Sequence, residues 1–226
     1  MTALLLVSSY HFMPIGLATM FHFIYPVIVT ICMAVLYKEK ITTFKIIAIV
    51  LAMAGLGLIF DLTGSMSLPG IALAIGSGFT YAIYVIANRK SSFGDFPALV
   101  IVFYSSLVNL IGVALFQLVS GRLVIPLTVR EWVLISANGL VSGLFAFFVL
   151  IIGIRRVGAS NAAIANMIEP ITALAAGAIV FGDRIEFKAL CGCILVLLSI
   201  TFIAMNRDNA HAGEKTVSKT SSERIR

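Results

Sequence analysis

Glu169 has the most chemistry to offer in this sequence, because it stands in the middle third of an apolar stretch, 158–181. An ionisable group at the centre of a membrane helix costs roughly 2.5–3.5 kcal/mol on insertion scales unless it is paired or wet. Pro170 follows it directly. A proline has no N–H to give to the carbonyl four residues back, so the Asn166 carbonyl is released for a side chain, water or ligand. Asn166 and Glu169 are three residues apart and share a helical face. The pattern occurs a second time, where His22 and Tyr25 precede Pro26 with the same spacing. Two helices kinked at Pro26 and Pro170 would then turn polar faces toward one cavity. Tyr81, Tyr84 and Asn88 form a third set, a single polar stripe at spacings of three and four on an otherwise apolar helix. Each has a plainer alternative. Glu169 could simply hydrogen-bond a neighbouring helix, and the tyrosine stripe could be an interfacial aromatic belt beside a basic loop. Tyr10, His11, Asn109, Gln117, Asn138 and Asn161 are weaker candidates, for which an interhelical hydrogen bond is the simpler role.

The elements that must carry these residues follow from composition. Of 226 residues, 60% are hydrophobic and 12% charged, and the mean hydropathy is +1.08. A soluble domain has roughly 45–50% apolar and about 25% charged residues, so this composition excludes a cytosolic enzyme, a secreted domain and a nucleic-acid-binding module. The apolar runs are 2–13, 16–37, 44–60, 69–88, 97–119, 132–154, 158–181 and 187–205, separated by charges and turn formers such as YKEK, NRKSSFGD and GDRIEFK. About 20 residues cross a 30 Å bilayer core, so the sequence predicts an all-α polytopic membrane protein of about eight helices, the first of them short. Residues 206–226 are too polar to pack and read as a disordered tail.

The net charge of +6 reports topology. Alternate loops put Lys38, Lys40, Lys45, Arg89, Lys90, Arg155, Arg156 and five basic tail residues on one side, and Arg122, Arg130, Arg184 and Lys188 on the other. That bias predicts a cytoplasmic C-terminus in a cell membrane. Cys32, Cys191 and Cys193 all lie in apolar runs, giving no disulfide framework and no metal spacing. Cys191-Gly192-Cys193 reads as small-residue helix packing, as do Gly139 with Gly143, Ala72 with Gly76 and Ala173 with Gly177. The charges of Lys38-Glu39-Lys40 and Asp183-Arg184 read as helix-end charges at the membrane surface, with a gating ion pair as the other possibility. There is no H-E-x-x-H, Gly-rich phosphate loop or G-x-S-x-G, so neither an enzyme, a cofactor nor a metal is expected.

Pro26 and Pro170 are 144 residues apart, and the same offset carries Glu39-Lys40-Ile41 onto Asp183-Arg184-Ile185, His22 onto Asn166 and Tyr25 onto Glu169. An odd number of spans separates the copies, so they have opposite orientations, a plan of many secondary transporters. The stretches GLATMFHFIYPVIVTICMAVLYKEKIT and RRVGASNAAIANMIEPITALAAGAIVFGDRI resemble the EamA-type branch of the drug/metabolite transporter superfamily. The resemblance implies two inverted five-helix repeats around a central cavity. It divides this chain into an incomplete first repeat (1–60), a second repeat (69–205) and the tail (206–226), with Asp183 where glutamate is more usual. On this basis the chain is expected to be a carrier that moves a small organic solute outward by alternating access, along a path lined by Glu169, Asn166, His22, Tyr25, Tyr81 and Tyr84. A nontransporting membrane subunit or scaffold, or an inactive fragment, is the alternative. The offset places the start of the first repeat about 75 residues before Met1. The expected consequence is a stunted first helix packed against 16–37 and a lipid-open groove beside His22 and Tyr25, which a second copy could close as a homodimer.

Overall fold

Long apolar runs bounded by caps and turn formers become helices, and no strand occurs among the described residues. The structure, a computed structural model, describes residues 1–60, 67–121, 128–181 and 185–203. The helices are α1 (Thr2–Ser9), α2 (Ile15–His22), α3 (Tyr25–Tyr37), α4 (Thr43–Ile59), α5 (Leu68–Lys90), α6 (Ala98–Ser120), α7 (Val129–Asn138), α8 (Ala146–Val157), α9 (Ala159–Ala165), α10 (Glu169–Ala176) and α11 (Phe187–Ile203). Several combine into longer spans. Ile15–Tyr37, Leu68–Lys90, Ala98–Val119, Val129–Val157 and Ala159–Val180 are each long and apolar enough to cross a membrane, and α4 and α11 are shorter apolar helices. The protein is an all-α polytopic membrane protein. Asp183, Arg184 and the 206–226 tail lie outside the described residues.

Local chemistry sets the helix ends. Ser67 caps α5 by accepting the Gly70 N–H at 3.4 Å, with Pro69 in the first turn. Thr128 and Glu131 close a reciprocal capping box on α7. Gly121 ends α6 at φ 63°, and Gly158 joins α8 to α9 at φ 87°, conformations that cost glycine little.

The described chain divides into two compact units, Met1–Met33 with Ser65–Ala163, and Ala34–Gly64 with Ile164–Arg226. The boundaries fall inside α3, after Met33, and inside α9, after Ala163. In the first unit, Met13, Leu17, Ala18 and Ala74 form one core cluster, and Ala98, Ile101, Val102 and Ile151 form another. Helix α1 is short and touches α2, as the sequence predicts, but α2 is not its main partner. Helix α1 lies chiefly along α5, with the Thr2 and Thr80 hydroxyls 2.8 Å apart.

In the second unit, α4 and α11 touch backbone to backbone. A Cβ on Gly55 would lie 2.7 Å from the Gly192 carbonyl oxygen, and one on Gly192 would lie 2.5 Å from that of Gly55. Gly55 neighbours Val196 while Gly192 neighbours Ile59, so the helices run antiparallel. Lys45, Ala48, Ala52 and Gly55 are buried on α4, and 144 residues later Ala189, Gly192, Val196 and Ser199 are buried on α11. Steps of three and four make each set one continuous seam. Helices equivalent by the sequence offset therefore bury the same face and run in opposite directions. At the foot of α4, Lys45 is 7% exposed and pairs with Glu39. This pair gives the buried ammonium a counter-ion. The small-residue packing read from Gly139 and Gly143 is not found, since a Cβ at either would meet nothing within 4 Å.

Candidate functional site

Both proline-containing spans are interrupted at the same point. Helix α2 ends at His22 and α3 begins at Tyr25, while α9 ends at Ala165, a 3-10 turn covers Asn166–Ile168, and α10 begins at Glu169. Each break lies just ahead of its proline, where the missing N–H weakens the ladder. What becomes of the released carbonyls differs from the open acceptors expected. The Asn166 carbonyl accepts the Glu169 N–H within the 3-10 turn. The His22 carbonyl lies against α5, so close that a Cβ on Gly78 would be 2.7 Å from its oxygen. Only glycine allows that approach.

In the first unit these breaks bring four of the sequence-predicted residues together. The His22 ring centroid is 5.5 Å from that of Tyr25 and 5.5 Å from that of Tyr81. Tyr25 and Tyr81 meet edge to face at 4.7 Å, Tyr81 stacks on Tyr84 at 6.2 Å, and Tyr84 meets Phe147 edge to face at 5.8 Å. Edge-to-face and offset rings align the negative face of one with the positive edge of another. Tyr25 is only 1% exposed, and its hydroxyl donates to the Ala163 carbonyl at 3.3 Å. Tyr25 therefore does not line the open groove expected beside it, since Tyr81 and Ala163 pack against it. Pro26 is buried with Tyr25. His22 is half-buried, and its Nδ1 is 2.9 Å from the Ser77 hydroxyl oxygen.

Ser77 was not singled out by the sequence, although the signal was there. It stands four residues before Tyr81 and so extends the stripe of Tyr81, Tyr84 and Asn88 by one turn. Asn88 closes the other end. It is 1% exposed, and its amide donates to the Tyr84 carbonyl at 2.9 Å, so it is packed inside the protein. Asn161 donates to the Val157 carbonyl at 3.0 Å, and Asn138 accepts the Ser142 hydroxyl at 3.1 Å.

Asn166 and Glu169 belong to the second unit. Pro170 is buried in the first turn of α10, whereas Glu169 is exposed. The Glu169 carboxylate has no ion pair or hydrogen bond among the described residues. Its own carbonyl accepts the Thr172 hydroxyl at 2.8 Å. No cluster of three or more His, Cys, Asp or Glu side chains able to hold a metal occurs among the described residues. The cluster of rings and imidazole can stack on, and hydrogen-bond to, a small organic molecule.

The model of the EamA-like transporter family matches residues 1–61 and 68–205. Two curated relatives are similar over 82% of the chain. One is an uncharacterized transporter of Clostridium kluyveri, 20% identical over 196 residues, and the other an uncharacterized transporter of Archaeoglobus fulgidus, 25% identical over 186 residues. The chain spans 62% and 66% of their lengths, respectively. One solved crystal structure has the same fold, with a TM-score of 0.79 at 18% identity, covering 90% of this chain and 71% of that one.

Proposed function

The chain belongs to the EamA-like transporter family, and from that premise we propose that it carries a small organic solute outward across the cell membrane by alternating access. The observation that supports this reading best is the pair of interrupted spans, which stand in register at the 144-residue offset and present His22 and Tyr25 in one copy, Asn166 and Glu169 in the other. Discontinuous helices near the membrane midplane are where secondary transporters bind solute and coupling ion, and inverted repeats let one half rock against the other. In this proposal the repeats are 1–60 and 69–205, and the 206–226 tail is cytoplasmic. His22, Tyr25, Tyr81 and Tyr84 form an aromatic wall of the path, Asn166 lines it, and Glu169 exchanges a proton during the cycle. The members of the path act on solute without chemical conversion.

Efflux and uptake of a metabolite panel in proteoliposomes, with and without a pH gradient, test the proposal. Solute movement that requires the protein and responds to the gradient is expected. A panel with no protein-dependent flux in either direction would overturn it. One observation favours a second reading, that of a nontransporting membrane subunit. Every residue from Val129 to Val141, in the first half of the Val129–Val157 span, is exposed, including Ser136 and Asn138. A helix with uncovered polar groups at membrane depth is suited to a partner helix, from a second copy or another protein.

A further inference from the structure

The proton on the His22 ring can be placed from the oxygen beside it. Ser77 Oγ donates to the Ala74 carbonyl at 2.6 Å, and the same oxygen lies 2.9 Å from His22 Nδ1. A hydroxyl has one proton, and a carbonyl can only accept. If that proton were turned toward the ring instead, two oxygen lone pairs would face each other at 2.6 Å. The Ser77 proton therefore stays on the Ala74 carbonyl, and toward His22 the hydroxyl can only accept. Nδ1 must be the donor.

The other nitrogen then takes its character from this bond, because in a neutral imidazole one nitrogen donates and the other accepts. Nε2 makes no hydrogen bond among the described residues. The acidic side chains of the first unit do not supply a counter-ion for a doubly protonated ring, since Glu131 is engaged in the α7 capping box and Asp95 lies in the short turn between α5 and α6. Tyr25 and Tyr81 each lie 5.5 Å from the ring and, 4.7 Å from one another, sit together on one side of it. A free acceptor is thus held beside a pair of aromatic rings.

We propose that Ser77 fixes His22 as the Nδ1–H tautomer, so that Nε2 accepts a hydrogen bond from the solute, and that the site selects molecules bearing an N–H or O–H donor on a flat, apolar body. Ser77 is a positioning residue that acts through the ring. The solute part of this inference rests on the transport reading, whereas the tautomer does not.

Nitrogen-15 NMR of imidazole-labelled protein tests both parts. His11→Gln with His211→Gln leaves His22 as the one labelled ring. The expected spectrum shows a protonated Nδ1 and a bare Nε2, and added phenol shifts the Nε2 signal while anisole, which lacks the hydroxyl proton, leaves it in place. Ser77→Ala should release the ring to the Nε2–H tautomer and weaken phenol binding by roughly five- to tenfold, the loss expected for one neutral hydrogen bond. Ser77→Thr should restore both. A protonated Nε2 in the otherwise unaltered site, in either the neutral or the doubly protonated ring, overturns the tautomer. An equal response to phenol and anisole overturns the donor selection. Failure of transport in vesicles would leave these spectra unchanged, so the two ideas fail separately, and the unaltered site decides the tautomer even if the Ser77 variants do not fold.

Discussion

In the first proline-interrupted span, polar groups are taken up by neighbours. The His22 ring is bonded to Ser77, the Tyr25 hydroxyl to the Ala163 carbonyl, and the His22 carbonyl is covered by Gly78. In the second, 144 residues on, the backbone bonds are satisfied within its own 3-10 turn, and the Glu169 carboxylate stands exposed and without a partner among the described residues. The two breaks thus share a backbone form while their side chains differ, one set packed against neighbours and the other carrying an exposed carboxylate. Function is expected to be concentrated where satisfaction is incomplete, and stability where it is complete.

That contrast can be broken most sharply at Gly78. Gly78→Val should leave little folded protein by size-exclusion chromatography in detergent, because a Cβ there meets backbone, not a movable side chain. Recovery of a well-folded variant would mean that the first span is not packed as described. Glu169→Gln should lower proteoliposome flux at least tenfold while shifting the thermal midpoint by less than about 2 °C, since the carboxylate holds nothing in place. A large loss of stability with flux intact would reverse the assignment of the two spans. His22→Gln should show the opposite balance in stability, a loss of about 1–2 kcal/mol from the Ser77 bond and the ring contacts, read by thermal unfolding in detergent. Tyr25→Phe is the mildest of the set. It removes one hydroxyl bond and keeps the ring, so about 1 kcal/mol is expected by the same measurement, and no change would show that the Ala163 carbonyl finds another donor.

The spans were legible in the sequence because membrane helices announce themselves by length and by the charges that end them. The run 16–37 became Ile15–Tyr37 and 69–88 became Leu68–Lys90. The positions of the two breaks were legible for a similar reason, since proline's missing N–H is a property of the residue itself. What fills a broken ladder is a matter of tertiary approach, and neither Gly78 over His22 nor Tyr81 against Tyr25 could be read from spacing along one helix. Small-residue packing was read at Cys191-Gly192-Cys193, and Gly192 does meet another helix backbone to backbone, but its partner Gly55 was missed in the same way. Small residues four apart drew notice to Gly139 and Gly143, which face open space, whereas the actual close contact joins single glycines of two helices far apart in sequence. Ser77 was within reach, because extending the tyrosine stripe by one turn arrives at it.

Helix α4 has a consequence for the lipid around it. Its 17 residues rise about 25 Å at 1.5 Å per residue, and Lys45 in the first turn removes part of that length from the apolar total. A bilayer core of about 30 Å overreaches such a helix, and each ångström of mismatch costs a fraction of a kcal/mol. If α4 spans the bilayer, acyl chains thinning beside it are one way to relieve that mismatch, and a thinner host membrane would suit α4 better than the longer spans. The protein's thermal midpoint in vesicles should fall as the acyl chains of the host lipid lengthen.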